Sequence, residues 1–466
     1  MKFWNHYRTA NIESSSILYP KTEEELIGLI RQAGQEKRKF RVMGACHSQM
    51  GIMFGEEINV SVSRYNGVIK VEDKLVTIQA GITLTELDIL LAEHDLSLSN
   101  MTSSGHPTFV GAMLTGSHGG STRYGGMASM VTAMRLIKWD GSVLDIQRGD
   151  PLFDAAAVSF GSLGVISTVT IECLRGHRFA TLRQPMRFED FIQQWESLSR
   201  SNDYIRCLWY PITDDMEIWT ANRVASEGKE KIKTDKSVNA SLHRISKLDQ
   251  ILAPIAIFIV SYFRSLQLML TREFIRKDTM AFEGTANEAF CMDDGGNPQF
   301  FEAGVAVPYQ DTIKVLQKMR EYFRAKNHYP IFPIEFRPAP ADKFWMSSAY
   351  EREITAFALL AHRNGRCDAQ PFYREMAEFL TQFDYRIHWG MQIIKERTYL
   401  SRQYPHWQDF IKLKKEMDPH NIFSHPIFDY FFAGAATTHS WQFKSLSGYA
   451  IHPVVFDIDT VASCPV

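Results

Sequence analysis

Residues 105–120, GHPTFVGAMLTGSHGG, constrain this chain more than any other stretch, because they pack five glycines and five hydroxyl or imidazole side chains into one run. Glycine lets a backbone approach its neighbour closely and adopt positive φ. Successive N–H groups in such loops form concave nests for phosphate oxygens. No Lys-Ser/Thr pair closes the run and no G-x-G-x-x-G opens a helix, so it is not one of the commoner nucleotide loops. Alone, it suits a structural loop as well as a ligand site. Two further glycine loops shift the balance: Arg41-Val-Met-Gly-Ala-Cys-His-Ser-Gln49 upstream and Phe160-Gly-Ser-Leu-Gly-Val-Ile166 downstream. Each borders a β-branched run. Together they imply one extended diphosphate ligand held by backbone.

Around these loops, strands and helices alternate. Thr22 three residues before Glu25 reads as a capping box, and Leu26, Ile27, Leu29 and Ile30 give the following helix its apolar face. The spacing predicts strands over 17–19, 39–43, 58–62 and 68–80, then a helix over 84–94. Residues 131–138 and 142–146, split by Asp140-Gly141, read as a hairpin. A helix over 152–160 and a β-branched strand over 165–174 follow. From about His177 aromatics rise and the glycine loops stop. Helices are predicted over 188–198, 308–326 and 371–383, and strands over 207–212, 216–220, 300–307, 354–360 and 451–458. The order lacks the strict βαβ rhythm of a doubly wound sheet. It reads as α+β, with an antiparallel sheet backed by helices in the second half.

Taken together, the motifs resemble the vanillyl-alcohol oxidase superfamily with its PCMH-type FAD-binding domain, and within it the sugar-1,4-lactone oxidase and alditol oxidase group. Tyr19-Pro20 with the Glu-rich helix start, Cys46-His47-Ser48, Thr115-Gly-Ser-His-Gly-Gly120 and Ser162-Leu-Gly-Val-Ile166 occur in family order. The match runs to about residue 180 and resumes over 333–424. It implies a two-subdomain FAD-binding unit over 13–177 and a substrate domain over 178–425, in which 226–272 is an insertion and 385–425 returns to the flavin. Residues 426–466 form a C-terminal extension.

The cofactor implied is FAD, held by Gly44, Ala45, Cys46, His47, Ser48 and Gln49 in the first loop. The second loop contributes Ser103, Ser104, Thr108, Gly111, Ala112, Thr115, Gly116, Ser117 and His118, and the third Gly164, Val165 and Ile166. Family members carry the flavin covalently on the histidine of the first loop, which assigns that bond to His47. Read from residues alone, a lone histidine beside a glycine turn is more often structural, and His118 reads equally as a loop-stabilising donor. Cys46 stands where the family has glycine.

On the substrate side, Pro333-Ile-Glu-Phe-Arg337 is a strand with Glu335 and Arg337 on one face. A surface ion pair of little energetic weight is the plain reading. The resemblance implies instead a carboxylate and guanidinium converging on a hydroxylated substrate beneath the flavin. His388-Trp389-Gly390 repeats the family's H-W-G/A-K signature except its last letter. Met391 stands in place of Lys, and Leu360 in place of the alditol oxidases' Thr. Both changes remove hydrogen-bonding groups from the expected pocket, turning the expectation toward a more apolar or lipid-linked alcohol.

The implied activity is that of an FAD-dependent alcohol oxidase or dehydrogenase acting on CH–OH donors, with hydride passing to flavin N5. Glu335, Arg337 and His388 are its expected catalytic residues. Arg337 favours the alkoxide-like charge, and Glu335 or His388 takes the hydroxyl proton. A flavin-binding protein without turnover is the alternative.

The partners the resemblance implies are a small alcohol and oxygen or an electron carrier. A net charge of −2 supplies no basic field for nucleic acid. Six cysteines without C-x-x-C spacing argue against a metal site and for a reducing compartment. The N-terminus has no apolar signal-like core, so the cytoplasm is the expected location. One segment stands apart. After a Lys-rich stretch over 226–247, residues 248–270 are strongly apolar, centred on ILAPIAIFIVSYF. That core is about 13 residues against the roughly 20 that cross a bilayer. A buried helix is one reading, and an interfacial helix giving peripheral membrane contact is the other.

Overall fold

The first long helix, Glu23–Glu36, begins where Thr22 accepts a hydrogen bond from the Glu25 backbone and three glutamates fill the positive first turn. Glu25 reaches back to the Lys21 N–H, so the expected reciprocal box closes one residue early. Buried Leu26, Ile30 and Ala33 pack on Phe40 and Val60 of a parallel sheet formed by Ile17–Leu18, Ile58–Ser61 and Phe40–Met43. The computed structural model of the protein describes residues 2–224, 264–275, 278–291, 300–362 and 369–432, with two short strands at Phe443–Lys444 and Ala450–Ile451.

A second sheet has five antiparallel strands in the order Val143–Gln147, Val131–Ile137, Val165–Glu172, Leu75–Gln79 and Val68–Glu72. Its hairpin turns at Gly141, φ +78, where the sequence predicts it. Thr83 caps the Leu84–Ala92 helix with a complete capping box. The helix expected over 152–160 is a single turn, Phe153–Ala156. Beyond it the backbone leaves helical space, reaching φ +59 at Phe160.

The glycine-rich run differs from one continuous phosphate nest. It contains a short helix, Phe109–Leu114, capped by Thr108. At its far end a Cβ on Gly119 would lie 1.9 Å from Asn100 Oδ1, and one on Gly120 would lie 1.9 Å from the Ile205 carbonyl oxygen. Those two glycines serve close packing against protein.

From Phe179 the chain builds an eight-stranded antiparallel sheet. Its order is Met280–Gly284, Phe179–Arg187, Asp215–Arg223, Tyr204–Tyr210, Ile334–Ala339, Ile354–His362, Phe300–Pro308 and Arg386–Ile387. One face is apolar and covered by helices. Phe336 stacks edge-on against Phe191 of helix Phe188–Ser201, and Phe357, Val305 and Trp209 join a core with Leu316 and Met319 of helix Thr312–Lys326. Helix Ala369–Leu380 completes the cover. This is the α+β architecture expected.

The opposite face meets the glycine loops, because the chain crosses back after Ile387. The Gln49 N–H donates to the Gly390 carbonyl at 2.9 Å and the Phe40 N–H to the Ile422 carbonyl at 2.7 Å. Asp418 accepts from the Ile422 and Phe423 N–H groups and makes the turn that permits this. Helix Pro426–Phe432 then packs Phe428 and Phe432 around Phe160, Trp389 and Trp407. The start of the expected C-terminal extension is thus core. Most of the 226–272 insertion, including apolar 248–263, lies outside the described residues, as does nearly all of the 451–458 strand. Among the described residues no helix is long and apolar enough to cross a membrane.

Candidate active site

The uncovered sheet face is a floor of small side chains with charged edges. Ala356 stands opposite Arg337 and Ala306, Ala358 opposite Glu335 and Gly304, and Leu360 opposite Glu302. A Cβ on Gly304 would meet Met391 Sδ and His388 Cβ at 2.7 Å, so the 388–391 turn rests directly on this floor. Floor, turn and glycine loops enclose a cavity of about 1410 Å³, mouth included. A second space of about 520 Å³ shares Arg41, Gly44, Thr108, Gly111 and Phe160 with the first. Together they form one elongated cleft.

Gly44, Ala45, Cys46, His47, Ser48 and Gln49 line the larger space, as do Ser103, Ser104, Thr108, Gly111, Ala112, Thr115, Ser117 and His118. Gly164, Val165 and Ile166 line its deeper continuation. Gly116 faces a separate small hollow beside Ser347. Glu335, Arg337, His388 and Met391 line the main cavity. Leu360 points to the same sheet face but is not among the lining residues.

The first loop is held by the N-terminal segment. Buried Asn5 donates to the Ser48 carbonyl at 2.9 Å while its Oδ1 accepts from the Thr9 and Ala10 N–H groups, and the His6 N–H donates to the Cys46 carbonyl at 3.0 Å. The His6 ring stacks on His47, centroids 4.0 Å apart. Cys46 sits at φ +56, the left-handed region that glycine adopts most easily. Burial pushes its thiol up to about 12.

The cleft suits a dinucleotide. Arg41 Nε and Gln49 Nε2, on two residues that line it, are buried N–H donors without a hydrogen-bond partner among the described residues. A Cβ on Gly44 would meet Thr108 Oγ1 at 2.3 Å, so the two loops close together with backbone at the cleft wall. Both features fit a long, polar, backbone-held group such as FAD.

At the floor, Glu335 is clamped by two guanidiniums, Arg206 Nη2 at 2.5 Å and Arg337 Nε at 3.0 Å. Burial would raise its carboxyl, but Arg206 and Arg337 outweigh that and hold it below the ordinary carboxylate range. His388 Nδ1 accepts from the Gly390 N–H at 3.1 Å, which leaves the proton on Nε2, 3.0 Å from Ser117 Oγ. Burial, with His118 and Arg337 adding, depresses it to about 3. His118 donates from Nδ1 to the Gly119 carbonyl at 2.7 Å and is depressed to about 4, chiefly by burial. Glu335 is thus already paired, and His388 offers a donor at Nε2.

Two residues of this site escaped the sequence reading. Arg206 and Glu302 are single charged residues in otherwise apolar strands, YIRCLWY and FFEAGVAVP. A lone charge in such a strand was the available signal. Burial, with the Glu335 charge adding, pushes the Glu302 carboxyl up to about 7.

Residues 169–431 match the family described as D-arabinono-1,4-lactone oxidase, and residues 14–147 match the FAD binding domain. The L-gulono-1,4-lactone dehydrogenase of Mycobacterium tuberculosis is 24% identical over 416 residues, 88% of this chain and 94% of that protein. The L-gulonolactone oxidase of Scyliorhinus torazame is 24% identical over 433 residues, 91% of this chain and 96% of its own. The solved cholesterol oxidase of Brevibacterium sterolicum superposes with a TM-score of 0.75 at 16% identity, covering 92% of this chain and 96% of that one, and shares the fold.

Proposed function

Because the chain belongs to the D-arabinono-1,4-lactone oxidase family and is an FAD-dependent oxidoreductase of CH–OH donors, we propose that its substrate is an aldono-1,4-lactone lying on the small-residue floor. The observation that carries this reading is the Arg206–Glu335–Arg337 cluster at the edge of that floor. A polyhydroxy ring offers the donors and acceptors that such a cluster can order, and Ala356, Ala358 and Gly304 leave it room. FAD supplies the two-electron acceptor for the hydride.

The chain's own groups do the positioning. Arg337, fixed by Glu335, favours negative charge on the substrate oxygen. His388 stays neutral and presents its Nε2 proton toward Ser117. Gln49 and the Gly44–Ser48 loop wall the cofactor end, where His47 is the residue for a covalent flavin bond. Electrons leave to oxygen or to a carrier. The relatives carry both oxidase and dehydrogenase names.

Met391 favours a second reading, a more apolar alcohol, because a thioether lines the cavity where the family has Lys. Leu360, outside the lining, adds nothing to it. We place the protein in the cytoplasm, with 248–270 as a peripheral membrane contact. Co-sedimentation with anionic vesicles, lost on deleting that segment, tests the contact.

The substrate experiment is anaerobic mixing of the yellow protein with aldonolactones, polyols and apolar alcohols. Bleaching of flavin absorbance by lactones supports the first reading. Bleaching by apolar alcohols alone replaces it with the second.

A further inference from the structure

Met391 brings no titratable group to the cavity, the hydroxyl proton of the substrate needs an acceptor, and four titratable side chains of the floor and its surroundings are positioned to compete for it. Glu335 is engaged by Arg206 and Arg337 on both oxygens. His388 points a proton, not a lone pair, away from the Gly390 N–H. His118 is buried beside the Arg337 guanidinium, which donates to its carbonyl at 3.4 Å. A fourth group remains.

Glu302 lies on the strand Phe300–Pro308, on the same face as Gly304 and Ala306 of the floor, and lines the cavity. Its backbone is fixed from both sides, since its N–H donates to Gln49 Oε1 at 2.8 Å and its carbonyl accepts from the Gln392 N–H at 2.8 Å. Its carboxylate makes no hydrogen bond or ion pair among the described residues, so its lone pairs are available to a ligand. We propose, resting on the substrate reading above, that Glu302 is the residue that takes the hydroxyl proton of the substrate.

The balance is simple. The substrate C–H bond breaks with its electron pair going to FAD, the O–H bond breaks with its proton going to Glu302, and the carbon–oxygen double bond forms. The charged groups around Glu302 tune it for that role. Glu335 disfavours its ionisation, Arg337 and Arg206 favour it, and burial places its midpoint at about 7. Across the sheet stands apolar Leu360. Tyr373, on the covering helix, feels the Glu302 charge while its own hydroxyl donates to the Leu359 carbonyl at 3.2 Å. His118 and His388 are neutral at this pH and add no charge. A carboxyl raised above its ordinary value is a base only above its midpoint, so flavin reduction should speed up as pH rises through about 7.

The test has two arms on the holoenzyme. Infrared difference spectra across pH 5 to 9, a range of roughly two units on either side of that midpoint, should show protonated carboxyl absorption that fades near neutrality, and Glu302→Gln should remove one component of it while leaving that of buried Asp342, which is also raised to about 7. In the second arm, anaerobic flavin reduction by an aldonolactone should slow by roughly 10²–10⁴-fold in Glu302→Gln and lose its rise with pH, with Glu302→Asp restoring part of it. A wild-type minus Glu302→Gln difference with no carboxyl component near neutrality, or a Gln variant reduced at the wild-type rate with the wild-type pH profile, overturns the proposal. Wild-type flavin that no lactone or alcohol bleaches overturns the substrate reading, and the infrared arm then decides Glu302 by itself.

Discussion

Replacing Met391 with Lys puts a cation beside the proposed proton acceptor, and the expected shift follows from the sheet. Met391 Sδ lies against the Gly304 position. Glu302 is two residues along the same strand, hence about 6.6 Å away at roughly 3.3 Å per residue. With an effective dielectric of about 20, a unit charge at that distance favours the ionised carboxyl by about 2.5 kcal/mol. That is about 1.8 pKa units. The midpoint of Glu302 should fall from about 7 to about 5. The acid limb of the anaerobic reduction profile should move with it, and so should the carboxyl infrared band. Both groups line a cavity with an open mouth rather than the outer surface, so added salt should restore part of the shift and not all of it. Suppose the folded, flavin-loaded Met391→Lys protein keeps its midpoint within about 0.5 unit of wild type. The two side chains then do not share a cavity, and the reasoning fails.

Three further outcomes are expected. Acid precipitation of the wild-type protein should retain flavin on the polypeptide, whereas His47→Ala should release all of it to the supernatant while still binding flavin before denaturation. Arg206→Met should destabilise the protein by about 2–4 kcal/mol, because it removes one of two cations from a buried carboxylate. The folded Glu335 carboxyl lies below its unfolded value, so its stabilisation is present above the unfolded value and lost as pH falls. The variant should therefore lose less on acidification than wild type, as thermal unfolding at neutral and acid pH would reveal. Cys46→Gly should load flavin as well as wild type and Cys46→Val poorly, because φ +56 costs a β-branched side chain about 1–2 kcal/mol or more. Equal loading by both would reject strain at this turn.

The parts legible in the sequence are those whose causes are neighbours in the chain. Thr22 marks a helix start because its cap reaches only three residues ahead. Asp140-Gly141 marks a hairpin because Gly141 supplies the positive φ. Strand alternation alone puts Glu335 and Arg337 on one face. The glycine loops announced a cleft, yet the helix Phe109–Leu114 inside one of them was too short for periodicity to reveal.

What the chain could not announce is which distant residues meet. Glu302 faces Leu360, and Arg206 grips Glu335, through sheet register set by strand order. Asn5 reaches Ser48, and His388 turns its proton to Ser117, through loops docked across the sheet. These contacts also decide the chemistry. Identical carboxyls become a clamped anion at Glu335 and a group raised to about 7 at Glu302. Ionisation depends on the solvent lost and the charges gained in three dimensions, and a linear sequence carries neither.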